Sequence, residues 1–93
     1  MNLTPEQLTQ IEEYASSFFS PTEIAIIMGL DKQQLKLELA GDNAAANAYN
    51  KGQLIQEAKI RKAIIDLATK GSSPAQTLAM DIIKTSKTRN IEI

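Results

Sequence analysis

Lys32, Gln33, Gln34 and Lys36 bring two amides and two ammonium groups close together in one polar stretch. On a helix, Gln33, Lys36 and Leu37 share a side, with Lys32 and Gln34 flanking it. A glutamine amide bonds the N6/N7 edge of adenine bidentately, and a lysine reaches a guanine edge or a phosphate. The chemistry on offer is therefore the reading of double-stranded DNA. Plain surface polarity accounts for the same residue types equally well. Leu37 sits in this group either as a contact for a thymine methyl or as the mark of a protein contact. A second set of cations, Lys51, Lys59, Lys62 and Lys70, recurs along one side of a long helical segment. Such a stripe can track phosphates, above all when repeated around an oligomer, or it can be a solvated helix face.

Bond-making chemistry has no comparable support. The chain has 93 residues with no histidine and no cysteine. It therefore lacks the commonest general base, the commonest transition-metal ligand and any thiolate nucleophile. Serine hydrolysis needs a base beside the nucleophile. Glu12 and Glu13 are adjacent, so on a helix they diverge by about 100° and do not converge on one ligand. Gly29, Gly41, Gly52 and Gly71 are isolated and build no phosphate-cradling loop. The expectation is a non-enzymatic protein with no metal and no cofactor.

The elements that would position these side chains are helical throughout. Thr4-Pro5-Glu6-Gln7 opens a first helix with a cap, a first-turn proline and a glutamine at N3, and Leu8, Ile11, Tyr14, Ala15 and Phe18 carry it to about Phe19. Ser20-Pro21-Thr22-Glu23 opens a second helix near 21–28 in the same way. Gly29 offers the positive φ of a tight turn, and Asp31, with Gln34 in the reciprocal position, caps a third helix near 32–40. Ala25 is small where a helix must cross, and Ile24, Met28, Leu30, Leu35 and Leu39 supply apolar contacts at helical spacing. This is the outline of a helix-turn-helix whose second helix can lie in a major groove; an ordinary pair of core helices is the plainer alternative. Gly41 stands where a left-handed C-cap is expected.

Asp42 or Asn43 then begins the longest periodic segment, to about Lys70, with Gly52 inside it as a local weakness of roughly 1 kcal/mol relative to alanine. Leu54, Ala58, Ile60, Ile64, Ile65, Leu67 and Ala68 form an apolar arc covering about half its circumference. Within that arc, Glu57 and Arg61 are either an i, i+4 pair or residues bonding across subunits. Gly71 ends the helix. Ser73-Pro74-Ala75-Gln76 repeats the start signal and opens a last helix ending near Ser86, followed by a short tail from Thr88 to Ile93.

The net charge of −1 hides an asymmetry: residues 1–50 hold two lysines against seven acids, and residues 51–93 hold eight basic residues against four acids. The half carrying the candidate reader is the acidic one, which favours a weak reader acting in several copies, or a partner-binding module, over a strong autonomous DNA binder. No stretch is long and apolar enough to cross a bilayer and no targeting segment opens the chain, so no membrane partner is expected.

With this outline in place, the second half is suggestive. It reads Ala48-Tyr49-Asn50-Lys51-Gly52, a helical stretch with Arg61 and Ala63, Leu67-Ala68-Thr69-Lys70-Gly71 and Ser72-Ser73-Pro74-Ala75-Gln76. In that order and spacing, residues 20–86 resemble the small terminase subunits of tailed phages and prophages. Members of that family carry a helix-turn-helix, an Ala-Tyr-x-x-Gly segment, a long helix, a Leu-Ala-x-x-Gly-x-x-x-Ala segment and one more helix. The resemblance implies a cytoplasmic protein of an infected bacterial cell that recognises viral DNA for packaging, assembles as a homo-oligomeric ring and hands DNA to the large terminase subunit. Two departures bear on that handover: residues 78–86 contain no aromatic, and little chain follows them.

The sequence therefore predicts an all-α protein in two parts: a helix-turn-helix unit over 1–41, and an oligomerisation region over 42–93 made of a long helix and a short C-terminal one. Lys32, Gln33, Gln34 and Lys36 are the expected DNA-reading edge. Leu54, Ile60, Ile64 and Leu67 are the expected interface between copies. A compact transcriptional regulator, or an adaptor whose degenerate helix-turn-helix binds protein, are the alternatives.

Overall fold

A computed structural model describes residues 1–92, with side chains through Thr88. Five helices follow one another: α1 (Pro5–Ser16), α2 (Pro21–Met28), α3 (Lys32–Leu39), α4 (Ala44–Thr69) and α5 (Ser73–Glu92), with no strand among the described residues. Packing divides the chain into two compact units, Met1–Glu57 and Ala58–Ile93.

The starts of α1, α2 and α3 follow the capping chemistry. The Gln7 N–H donates to Thr4 Oγ1 at 3.1 Å while the Thr4 N–H donates to Gln7 Oε1 at 2.9 Å. Ser20 and Glu23 make the same reciprocal pair at 3.2 and 2.9 Å. At α3 the exchange is one-sided: the Gln34 N–H donates to Asp31 Oδ1 at 2.8 Å, and no return bond from the Gln34 side chain accompanies it.

The ends depart from expectation in instructive ways. The α1 helix stops at Ser16 rather than about Phe19, because Phe18 turns left-handed at φ 62°. The Phe18 N–H donates to the Ala15 carbonyl and the Phe19 N–H to the Tyr14 carbonyl, the paired closure of a Schellman turn. The rings of Phe19 and Tyr14 meet edge to face with centroids 6.1 Å apart, the apolar contact that accompanies such a turn. Phe18 is thereby turned out of the core, 47% exposed. The α2 helix ends the same way at Gly29, φ 70°, with the Leu30 N–H donating to the Ala25 carbonyl at 2.8 Å. Gly41 is not left-handed, contrary to expectation: the only glycines of positive φ among the described residues are Gly29 and Gly71. The Glu38 carbonyl at the end of α3 accepts instead from the Gly41 N–H at 3.2 Å and from the Asn43 side-chain amide at 2.8 Å. Asn43 also caps α4, its Oδ1 accepting from the Ala46 N–H at 2.8 Å.

The core of the first unit gathers Ile11, Ile24, Ala25, Leu35, Leu39 and Ala45, with Leu3, Leu8, Tyr14, Met28, Leu30, Ala48 and Tyr49 packed around it. Ile11, Ile24 and Leu35 are fully buried. Gly52 is buried too, and its role differs from the expected weak turn. A Cβ there would strike the Glu12 carbonyl oxygen and lie 3.1 Å from the Ala15 Cβ, so α1 and α4 cross backbone to backbone at this point.

In the second unit, α4 ends in a Schellman turn at Gly71, φ 100°: the Gly71 N–H donates to Ala68 and the Ser72 N–H to Leu67, each at 3.1 Å. The cap of α5 is Ser72, not Ser73 as expected. Ser72 Oγ accepts from the Ala75 N–H at 3.4 Å, and Gln76 uses its side chain to reach the Ala68 carbonyl at 3.2 Å. Ser72 thus closes one helix and opens the next. The α5 helix continues past Ser86 to Glu92, so it is longer than expected and includes most of the predicted tail; Ile93, and the side chains after Thr88, lie outside the described residues.

Candidate nucleic-acid interface

The α3 helix is held on the first unit by Leu35 and Leu39, both buried, on one edge. At about 100° per residue, this places Leu37 diametrically opposite, with Gln33 and Ala40 beside it, Lys32 and Lys36 along one flank, and Gln34 and Glu38 along the other. Lys32, Gln33, Gln34 and Lys36 are all exposed, and none has a side-chain partner among the described residues. Leu37 is 75% exposed, the highest of any large apolar residue described. A shallow concavity beside it is lined by Gln33, Lys36, Leu37 and Ala40.

The orientation of this edge comes from the preceding turn. Gly29 reverses the chain, Leu30 tucks against the core, and Asp31 fixes the first turn of α3. Ile24 and Ala25 from α2 are buried beneath it, and Ala25 carries no bulk to hold the two helices apart.

The four lysines considered for phosphate contacts divide. Lys51 belongs to the first unit and faces Glu12 across the α1–α4 crossing at 3.7 Å. Lys70 pairs with Asp66 one turn before it at 2.9 Å. Lys59 and Lys62 are exposed and unpaired among the described residues. Both surviving pairs are solvent-exposed, worth a few tenths of a kcal/mol, so neither prevents a lysine from turning to a phosphate. Within Met1–Glu57 there are three lysines against eight acids, so this unit alone is strongly acidic.

The residues expected between copies are also unequal. Leu54, Ile60 and Leu67 are 63, 45 and 52% exposed, whereas Ile64 is half-buried. In the second unit the sheltered side of α4 is Arg61, Ile64 and Ala68, and that of α5 is Ala75, Ala79 and Ile82. Exposed apolar residues flank both strips on both sides: Ile60 and Leu67 opposite Ile65 on α4, and Leu78 opposite Ile83 on α5. The sequence arc did not separate Ile64 from its neighbours, because periodicity alone does not say which part of a broad stripe faces its own chain.

No helix among the described residues is long and apolar enough to cross a membrane. The chain matches no family model, no curated protein and no solved structure.

Proposed function

We propose that this chain is a non-enzymatic DNA-recognition protein of the small-terminase type, acting in the bacterial cytoplasm as a homo-oligomer. In this reading the α2–turn–α3 segment is a helix-turn-helix, and Lys32, Gln33, Gln34 and Lys36 are its reading edge. Viral DNA is the ligand and the large terminase subunit the downstream partner. The observation that carries the reading is the unpaired polar edge of α3, presented opposite Leu35 and Leu39 by a capped helix behind a tight turn. The order of motifs from Ala48 to Gln76 adds the resemblance.

A single acidic unit binds phosphates weakly, since its carboxylates repel the duplex and it has few lysines with which to release counterions. Repetition in an oligomer answers this, with Lys59 and Lys62 adding phosphate contacts from every copy. The experiment is a binding titration on duplex DNA at several salt concentrations. Gln33→Ala with Gln34→Ala should flatten preference among sequences. Lys32→Ala with Lys36→Ala should weaken binding to all sequences and lower the salt slope by roughly one unit per lost phosphate contact. Equal binding by wild type and the fourfold variant at low salt would remove the reader assignment.

The acidity of Met1–Glu57 favours a second reading, an adaptor that docks protein through the same face. Its signature is an absence of DNA binding at low salt, together with an unchanged oligomeric mass.

A further inference from the structure

We infer that Leu37 determines sequence specificity by contacting the 5-methyl group of thymine in the major groove, so that α3 selects sites containing A·T pairs. The inference rests on the DNA-reading function proposed above. Leu37 is 75% exposed, directly opposite the buried edge of α3, on the side that a helix lying in the groove turns towards the bases. No packing within the chain accounts for an aliphatic side chain there.

The neighbours of Leu37 match a short run of A·T pairs. Gln33 lies one turn back on the same line, about 6 Å along the axis, which is just under two base-pair steps of about 3.4 Å. Its amide can therefore take the N6/N7 edge of an adenine while Leu37 meets a thymine methyl about two pairs along the groove. Ala40 adds a small apolar surface beside Leu37, and Lys36 lines the same concavity. A protein-docking face is built from clustered aromatic and aliphatic anchors. Here Leu37 is the only large apolar residue exposed on α3, with Gln33, Gln34 and Lys36 around it and Met1 and the Glu38 carboxylate along one flank, so no cluster of large anchors surrounds it. That surrounding suits a nucleic-acid edge better.

The test uses deoxyuridine, which keeps the Watson–Crick edge of thymidine and lacks its methyl group. A preferred site is selected from a randomised duplex pool with the full-length protein, then synthesised with thymidine and with deoxyuridine. Wild type should bind the thymidine duplex more tightly, by about fourfold for each methyl contacted. Leu37→Ala should bind both duplexes equally, at the wild-type level for the deoxyuridine duplex, while Gln33→Ala should keep the methyl preference. Circular dichroism should find Leu37→Ala folded as wild type, given its exposure. Equal wild-type binding of the two duplexes overturns the inference and leaves DNA reading intact. A methyl preference that survives Leu37→Ala overturns the assignment to Leu37. No enrichment from the pool and no binding at low salt overturn the DNA-reading function and this inference with it. Loss of a protein partner in Leu37→Ala, with DNA preference unchanged, assigns the residue to docking instead.

Discussion

Gly52 shows how far a residue's meaning depends on what crosses it. Alanine is the better helix former by about 1 kcal/mol, so Gly52→Ala looks like a stabilising change when the helix is considered alone. The missing Cβ is instead where the Glu12 carbonyl of α1 approaches, and a backbone cannot rotate away as a side chain would. Overpacking of this kind costs about 1–3 kcal/mol and outweighs the propensity gain. With the propensity gain subtracted the net cost is up to about 2 kcal/mol, so Gly52→Ala should lower Tm by up to about 15 °C in a thermal melt followed by circular dichroism, given about 4–8 °C per kcal/mol for a domain of this size. An unchanged or higher Tm would show that the crossing relaxes freely. Nothing local to Gly52 announces this role. Glu12 lies forty positions earlier, and only the folded arrangement brings the two together. Ile11, Ala15, Ile24 and Leu35 were readable as apolar positions on helical faces, because their burial follows from each helix's own period.

Element boundaries were legible where one side chain decides them. Thr4, Ser20 and Asp31 each announce a helix start through an oxygen that accepts from the N3 amide. They were less legible where two candidates compete, as at Ser72 and Ser73, or where geometry overrides residue preference. Phe18 is such a case, adopting a left-handed φ that usually belongs to glycine, with Phe19 held against Tyr14 beside it. Asn43 offers the clearest test at this scale, since it serves two helices with two different atoms. Asn43→Ala removes both the cap of α4 and the bond to the Glu38 carbonyl, and should cost about 2 kcal/mol. Asn43→Asp keeps the accepting oxygen and gains from the helix dipole, but offers that carbonyl no donor. Its loss should fall between wild type and Asn43→Ala in chemical denaturation. Equal losses for the two variants would mean that the bridge to α3 carries the whole effect.

At the scale of the whole molecule, the second unit leaves much apolar surface uncovered by its own two helices. Within Ala58–Ile93 two helices cannot shelter residues on both flanks of both, so in the proposed oligomer the exposed Ile60, Ile65, Leu67, Leu78 and Ile83 would be covered by more than one neighbour per copy. A two-fold dimer covers one side; a head-to-tail arrangement covers both and closes into a ring or runs on as a filament. Sedimentation at tens of micromolar should therefore give a mass well above the monomer's. Ile60→Asp or Leu67→Asp should lower that mass and leave helical content unchanged, whereas Ile64→Asp, being half-buried, should also destabilise its own unit. A monomeric wild type would reject the assembly and shift weight to a single-copy regulator or adaptor. The apolar arc was visible in the sequence, but its split into sheltered and open strips was not, because a period of 3.6 marks a stripe and not its partner.

The α1–α4 crossing also sets the order in which the first unit can be completed. The α2 and α3 helices adjoin in sequence and meet after a short search, but the contact of Glu12 with Gly52 closes a loop of about forty residues, and such closures come late. A nascent chain that has emerged only through Gly41 carries the N-cap of each of its three helices. It still lacks Ala45 and Ala46, which are buried, and the flat backbone at Gly52 against which α1 rests. The edge of α3 is therefore held in its final orientation only once the beginning of α4 has been synthesised and has folded back across α1.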